Sequence, residues 1–286
     1  MRRILMEVEY HGQAFFGWQR QGSQRSVQAT LEAAIKDLVG HDVNVQSSGR
    51  TDRGVHAFAM PAHVDVDTRL GVDELVPALN ARMPEDLAIK TVRDVDPRFH
   101  ARFDAISKLY RYTIYRSRTR SPLLRDRSYF CPRPLDLAAM EEAAAALVGT
   151  HDFASFRTNP DDPSAGDDDD DAPEVTPDKF GPAAHEPPPL WRKPRPKGCV
   201  RHMLKARLHE SHELLHIDVE ANGFLRGMVR AIAGSLLEVG LRKQAPDWIA
   251  EIIAGADRKL AGANLPAHGL ALIRVNYPDE PFHKSS

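Results

Sequence analysis

The chain has 286 residues, 42% hydrophobic and 27% charged, with 38 Lys+Arg against 40 Asp+Glu. This is globular composition, long enough for two modest domains or one elaborate one to bury a core without disulfide staples. The two cysteines, Cys131 and Cys199, have no paired spacing, which argues against a disulfide framework or a Cys-based zinc site and makes a reducing cytoplasm the expected compartment.

The N-terminus has no apolar run long enough for a signal peptide or a membrane span. Ile4, Met6, Val8 and Tyr10 recur at period two and predict a strand. A helix follows: Ser26 is a candidate N-cap, Val27, Leu31, Ile35 and Leu38 repeat at helical spacing, and Gly40 is the stop. Val43 to Gln46 and Ala59 to Val66 read as strands, Val72 to Ala81 as a helix and Leu87 to Val95 as a closing strand. The order is βαββαβ. It repeats in the second half, with strands at Ile106 to Tyr115, Arg201 to Leu208, Leu214 to Glu220 and Gly269 to Val275. Helices are predicted over Leu137 to Val148, from about Phe224 through Leu237, and over Trp248 to Ile253. The expectation is an α+β protein of two ferredoxin-like units with antiparallel sheets.

Residues 160–190 interrupt that pattern with ten acidic residues, one lysine and eight prolines. Too few large apolar side chains are present to offset the entropy of ordering them, so a disordered, dispensable loop insertion is expected. A short basic segment, Trp191 to Lys197, follows. The segment carries −9 of the chain's net −2, leaving +7 on the remainder. A folded part that basic makes a polyanion a plausible partner.

The densest polar cluster is Ser47-Ser48-Gly49-Arg50-Thr51-Asp52-Arg53-Gly54-Val55-His56, between two predicted strands. Gly49 and Gly54 permit turns closed to other residues, and an acid flanked by two guanidiniums is held ionised. Such an acid suits a nucleophile or base; the same pattern also suits a turn in which Asp52 only caps backbone amides. Phe15-Phe16-Gly17-Trp18-Gln19-Arg20-Gln21 and Phe99-His100-Ala101-Arg102-Phe103 interleave rings and cations, which fits RNA or plain core packing. Tyr110 and Tyr112 share one face of a strand, as an active-site phenol and its neighbour or as half-buried packing residues. Arg226 and Arg230, four apart on the predicted helix, point the same way; Arg230 sits beside Val229 and Ile232 as a candidate for a partly buried ion pair. His212 and His216, four apart, would share a face on a helix or alternate on a strand, but no metal motif, phosphate-binding loop or dinucleotide fingerprint occurs, so no metal and no nucleotide cofactor is expected.

Eight blocks resemble the tRNA pseudouridine synthase A family: F-F-G-W-Q-R-Q at 15–21, S-V-Q at 26–28, G-R-T-D-R-G-V-H-A at 49–57, F-H-A-R-F at 99–103, Y-R-Y at 110–112, G-T-H-D-F-A-S-F-R at 149–157, N-G-F-L-R-G-M-V-R at 222–230 and H-G-L at 268–270. The resemblance implies two α/β halves, 1–104 and 105–286, with antiparallel sheets joined side by side and an active-site cleft between them. It implies isomerisation of uridine to pseudouridine at positions 38, 39 and 40 of the tRNA anticodon stem-loop, without a cofactor, by a homodimer. Residue by residue it makes Asp52 the catalytic carboxylate, Tyr110 the ring that stacks on uracil and a candidate C5 base, and Arg230 the partner of Asp52. Arg50 takes the place of the flipped base, and Arg53, Phe224 and Leu270 join it on the substrate side. Arg53 departs from the family's usual Ala or Lys, and the 160–190 insertion replaces a short link. Rival readings are a pseudouridine synthase of other RNA specificity, a non-catalytic pair of RRM-like units, and a metal-dependent nuclease with Asp52, His56 and His63 as ligands.

Overall fold

The computed structural model describes residues 1–158, 189, 190, 192, 198–279 and 282. The reading of 160–190 as a disordered loop, with its acidic run from Asp167 to Asp171, falls outside them. The described residues divide into two compact units, one built on 1–106 with 189, 190, 192, 272–279 and 282, the other on 107–158 and 198–271.

In the first unit β1 (Arg2–Tyr10) leads to α1 (Val27–Val39), β2 (Gln46–Ser47), β3 (His56–Val66), α2 (Val72–Asn80) and β4 (Leu87–Asp94). Local signals set α1: the Ser26 side chain accepts from the Ala29 N–H at 3.3 Å, and Gly40 closes the helix at φ 80° with its N–H on the Lys36 carbonyl. β1 runs antiparallel between β3 and β4, with Ile4 opposite Val64 and Val8 opposite Met60. Ile4, Met6, Val8 and Tyr10 are buried, as are Leu31 and Ile35 of α1 and Leu75 and Leu79 of α2. The alternation of β1 is incomplete because its second face is covered as well. Leu5 packs there with Val95, Phe99 and Ala101, against Tyr277 and Phe282. Arg3 joins them by reaching Asp65 at 2.7 Å and the Phe99 carbonyl at 2.8 Å.

The strand expected over Val43 to Gln46 shrinks to Gln46–Ser47. Val45 instead donates its N–H to Glu32 Oε1 at 3.2 Å, and its carbonyl accepts from Gln28 Nε2 at 3.2 Å. Side chains of α1 thus take the bonds a ladder would have used. The 99–103 block is core rather than RNA surface at Phe99 and Ala101, which are fully buried. His100 stacks against His63 at 4.6 Å and Phe103 at 4.1 Å, while buried Asp104 accepts from the His100 N–H and from Arg192 Nε at 2.5 Å.

The second unit contains β5 (Ser107–Tyr115), β6 (Tyr129–Phe130), α3 (Leu137–Ala145), β7 (Gly149–Asp152), β8 (Val200–Ser211), β9 (Leu214–Ala221), α4 (Met228–Gly240) and α5 (Trp248–Gly255). Its strand order is β5-β9-β8-β7, all antiparallel, with β6 added in parallel beside β5. The last strand, β10 (Leu270–Asn276), lies next to β3. Mixed helices and antiparallel strands make this an α+β fold, as the periodicities predict.

α4 is the buried axis of its unit, since Ala231, Ile232, Ala233, Ser235 and Leu236 are all fully enclosed. It starts at Met228, not near Phe224, so Arg226 precedes the helix and does not share its face with Arg230. Gly227 at φ 69° breaks the helical run there. His212 stands at φ 54° in the turn between β8 and β9, so it shares neither a strand nor a helix with His216. No helix among the described residues is long and apolar enough to cross a membrane.

Two histidines are kept neutral by the fold. Burial, reinforced by His63 and the nearby arginines, holds His100 well below the usual imidazole range, and burial with Arg111 and His209 pushes His216 down to about 4. The unfolded chain protonates both near its ordinary value of about 6.5, so the stability they contribute is complete above that pH and is lost as pH falls toward the folded values. Urea midpoints will fall between pH 7 and pH 5, and His100→Gln will make that fall shallower. A pH-independent midpoint would contradict the assignment.

Candidate active site

Asp52 sits on the loop between β2 and β3, and the loop is gripped by the connection that follows β1. The Thr51 carbonyl accepts the Trp18 N–H at 3.1 Å, and the Thr51 hydroxyl meets the Tyr10 hydroxyl at 2.8 Å inside the protein. Gly12 donates its N–H to His56 Nδ1 at 3.1 Å. The two backbones touch so closely that a Cβ on Gly17 would lie 2.5 Å from the Thr51 oxygen, and one on Gly12 would lie 1.9 Å from the Val55 oxygen. Gly17 also needs φ 86°. On the far side the Ser48 N–H bonds the Pro61 carbonyl at 2.9 Å, and the Val55 N–H closes a turn onto the Asp52 carbonyl at 3.1 Å. Gly54 takes φ 81° in that turn, whereas Gly49 needs no left-handed conformation.

The outcome is a carboxylate on a braced backbone. Asp52 is half-buried while its neighbours Arg50 and Arg53 are exposed. The 15–21 block divides in the same way. Phe15 and Trp18 are buried against Tyr10, and Phe16 remains 37% exposed with the Arg53 guanidinium 4.2 Å over its ring. Arg25 fixes the loop's other end by a bidentate bond to Asp86 at 2.6 and 2.7 Å, which holds the Asp86 carboxyl below its usual range.

In the second unit Tyr110 lies on β5 opposite Val219, its ring edge-on to Phe224 at 5.1 Å between centroids. Tyr112, two residues on, is a packing residue. Its hydroxyl donates to the Pro266 carbonyl at 2.8 Å, a Cβ on Gly269 would lie 2.6 Å from its ring, and burial pushes its phenol far up. The Pro266 to Leu270 turn is thereby pinned, with Leu270 buried.

Arg230 stands in the first turn of α4. Its Nε donates to the Leu265 carbonyl at 2.6 Å, and the Leu265 N–H returns a bond to the Arg230 carbonyl at 3.2 Å. Upstream, the Thr158 N–H bonds the Arg226 carbonyl, and the Thr158 hydroxyl accepts from Asn264 Nδ2 at 3.0 Å. Gly227 passes this pair so tightly that a Cβ there would lie 1.9 Å from the Thr158 hydroxyl. The structure therefore gathers Tyr110 with Phe224 and seats Arg230 on the 265–270 turn, in one unit; it places Asp52 with Arg50 and Arg53 in the other. Tyr10, Gly12, Gly17, Thr158 and Asn264 were not singled out by motif reading. The F-F-G-W block does carry Gly17, but nothing in its spacing reveals what that glycine touches.

The family model described as tRNA pseudouridine synthase matches residues 6–104 and 191–278, and the chain belongs to that family. It is 40% identical over 285 residues to the tRNA pseudouridine synthase A of Thermus thermophilus, covering 98% of both chains. Two further relatives of the same name, from Caldicellulosiruptor bescii and Aeromonas hydrophila, are each 37% identical; the matches cover 97% of this chain and 100% and 91% of theirs.

The Tyr10–Thr51 bond is a local test of the bracing. Tyr10→Phe leaves the ring packing and strips a buried hydroxyl of its partner, at a cost of about 1–2 kcal/mol. Denaturant unfolding will show that loss, together with faster hydrogen exchange at the Val55 amide. An unchanged midpoint and unchanged exchange would mean that the hydroxyl pair holds nothing.

Proposed function

We propose that the chain converts uridine to pseudouridine in tRNA, at positions 38, 39 and 40 of the anticodon stem-loop. Family membership over nearly the whole chain supports the reaction class; the observation that carries the residue assignment is the half-buried Asp52 on its braced loop. The reaction breaks the bond from C1′ to N1, turns the uracil and joins C5 to C1′, then gives up the C5 proton. A fixed carboxylate serves by attacking or stabilising C1′, or by taking the C2′ proton. Arg230 supplies the cation that pairs with this acid and orients it. Tyr110, edge-on to Phe224, supplies a ring for the uracil and a phenol near C5, with Leu270 as an apolar wall.

The target base must leave its stack, at a cost of about a few kcal/mol. Exposed Arg50 fills the gap with a planar cation that stacks on bases and reaches phosphates, and Arg53 adds charge beside it. In this division of labour the 1–104 half brings the carboxylate loop and the 105–286 half brings tyrosine and arginine. The 160–190 insertion is dispensable. The enzyme needs no cofactor and works as a cytoplasmic homodimer.

The metal-dependent nuclease reading loses ground on one observation: His56 and His63 each commit Nδ1 to a backbone N–H, from Gly12 and Ala101. Among the described residues, no group of three His, Cys, Asp or Glu is placed to hold a metal.

The deciding experiment maps pseudouridine in tRNA from cells lacking the protein, complemented with wild type or Asp52→Asn. Modification lost from the anticodon arm and restored only by wild type is the expected result; unchanged tRNA would refute the reading. Arg230→Ala is expected to lower turnover on bound tRNA by about a hundredfold or more while changing affinity by under about threefold. Equal loss of affinity with unchanged turnover would contradict its assigned role.

A further inference from the structure

The connection from β5 to β6 contains five arginines, Arg116, Arg118, Arg120, Arg125 and Arg127, against one acid, Asp126. It is a built loop rather than a loose one. The Arg116 N–H bonds the Glu213 carbonyl at 2.7 Å at its start, and β6 returns beside β5, with Ile114 opposite Tyr129 and the Cys131 N–H on the Tyr115 carbonyl. Between these ends two turns follow one another, Leu124 N–H to Ser121 and Arg127 N–H to Leu124, and the Ser128 hydroxyl also donates to the Leu124 carbonyl.

The acids nearby are already engaged. Glu210 pairs with Arg116, and Glu213 accepts the Tyr115 hydroxyl at 3.1 Å. Asp126 bonds its neighbour Arg125 at 3.1 Å. Arg118, Arg120, Arg125 and Arg127 are all exposed, and the first two and Arg127 form no ion pair among the described residues. An ordered, exposed loop with five arginines and one acid presents net positive charge, which suits a polyanion. Arginine, with its planar fork, is the cation suited to phosphate oxygens.

From this placement we infer that the 116–127 loop is a second RNA-binding surface, gripping tRNA phosphates away from the uridine being isomerised. The inference rests on the tRNA reading above. Tyr110 and Tyr115 are five residues apart on β5, which spans about 17 Å of strand, so the loop begins well away from a base held at Tyr110. A bilayer is the weaker match, since Leu123, 91% exposed, is one side chain and buries too little apolar area to hold a membrane.

The test replaces Arg118, Arg120, Arg125 and Arg127 together with alanine in the full chain and measures binding between 50 and 200 mM salt. The probes are full-length tRNA, the isolated anticodon stem-loop and anionic phospholipid vesicles. The inference predicts at least about a tenfold loss of tRNA affinity and a log–log salt slope shallower by about 2 to 4, while the stem-loop loses under about twofold. The corresponding four-lysine variant is expected to keep most of the slope and part of the affinity. Unchanged tRNA affinity and slope, equal losses for tRNA and stem-loop, or a loss confined to vesicles would each overturn it. Circular dichroism and thermal unfolding confirm that the variants are folded. Because the readout is affinity, failure here is distinct from failure of wild type to form pseudouridine.

Discussion

Two stretches of backbone pressed together without room for a methyl group govern the candidate carboxylate. Gly12 and Gly17 lie against the carbonyls of Val55 and Thr51, and the Trp18 N–H and the Tyr10 hydroxyl complete the contact. The loop between β2 and β3 thus borrows rigidity from β1, the central strand of its unit, through the residues that directly follow it. For a carboxylate in the proposed role such support matters, because misplacement by about 1 Å can cost a hundredfold in rate. Asp52 keeps solvent access through its side chain while its backbone is immobilised from behind.

The second unit uses the same device on different residues. Gly227, at φ 69°, passes the Thr158 hydroxyl at the entry to α4, and Asn264 closes on the same oxygen. Further along α4, Gly234 lets the Ala263 carbonyl approach, and the Gly262 N–H bonds the Ser235 hydroxyl at 2.9 Å. The 261–270 segment is laid along the helix by these contacts and in turn carries the Leu265 carbonyl that Arg230 grips. Tyr112 props up the end of that segment, while Tyr110, also buried, lies edge-on to Phe224.

Elements specified by neighbouring residues were legible in the sequence, and those specified by distant ones were not. α1 needs only Ser26, its apolar spacing and Gly40, all within fifteen positions. The strand expected over Val43 to Gln46 is cut back to Gln46–Ser47 because Gln28 and Glu32 reach across from α1 to bond Val45. The start of α4 was misplaced because Gly227 answers to Thr158, some seventy residues away. In the site, Asp52, Tyr110 and Arg230 stood out by chemical type and by family resemblance. Gly12, Gly17 and Tyr10 did not, since a glycine's purpose lies in what approaches it. The arginines of 116–127 form no motif, and only the structure shows that the connection carrying them is ordered and exposed.

If the constraint on the Asp52 loop is what makes the carboxylate effective, loosening it without touching the acid must cost chemistry. Single-turnover measurement of pseudouridine formation in Gly17→Ala, on fully bound tRNA, tests this most directly. The methyl group meets the Thr51 carbonyl and the backbone must shift. The account predicts a folded protein, near-normal tRNA affinity and a rate constant lower by about a hundredfold. Wild-type turnover in that variant would show that the bracing is incidental to catalysis.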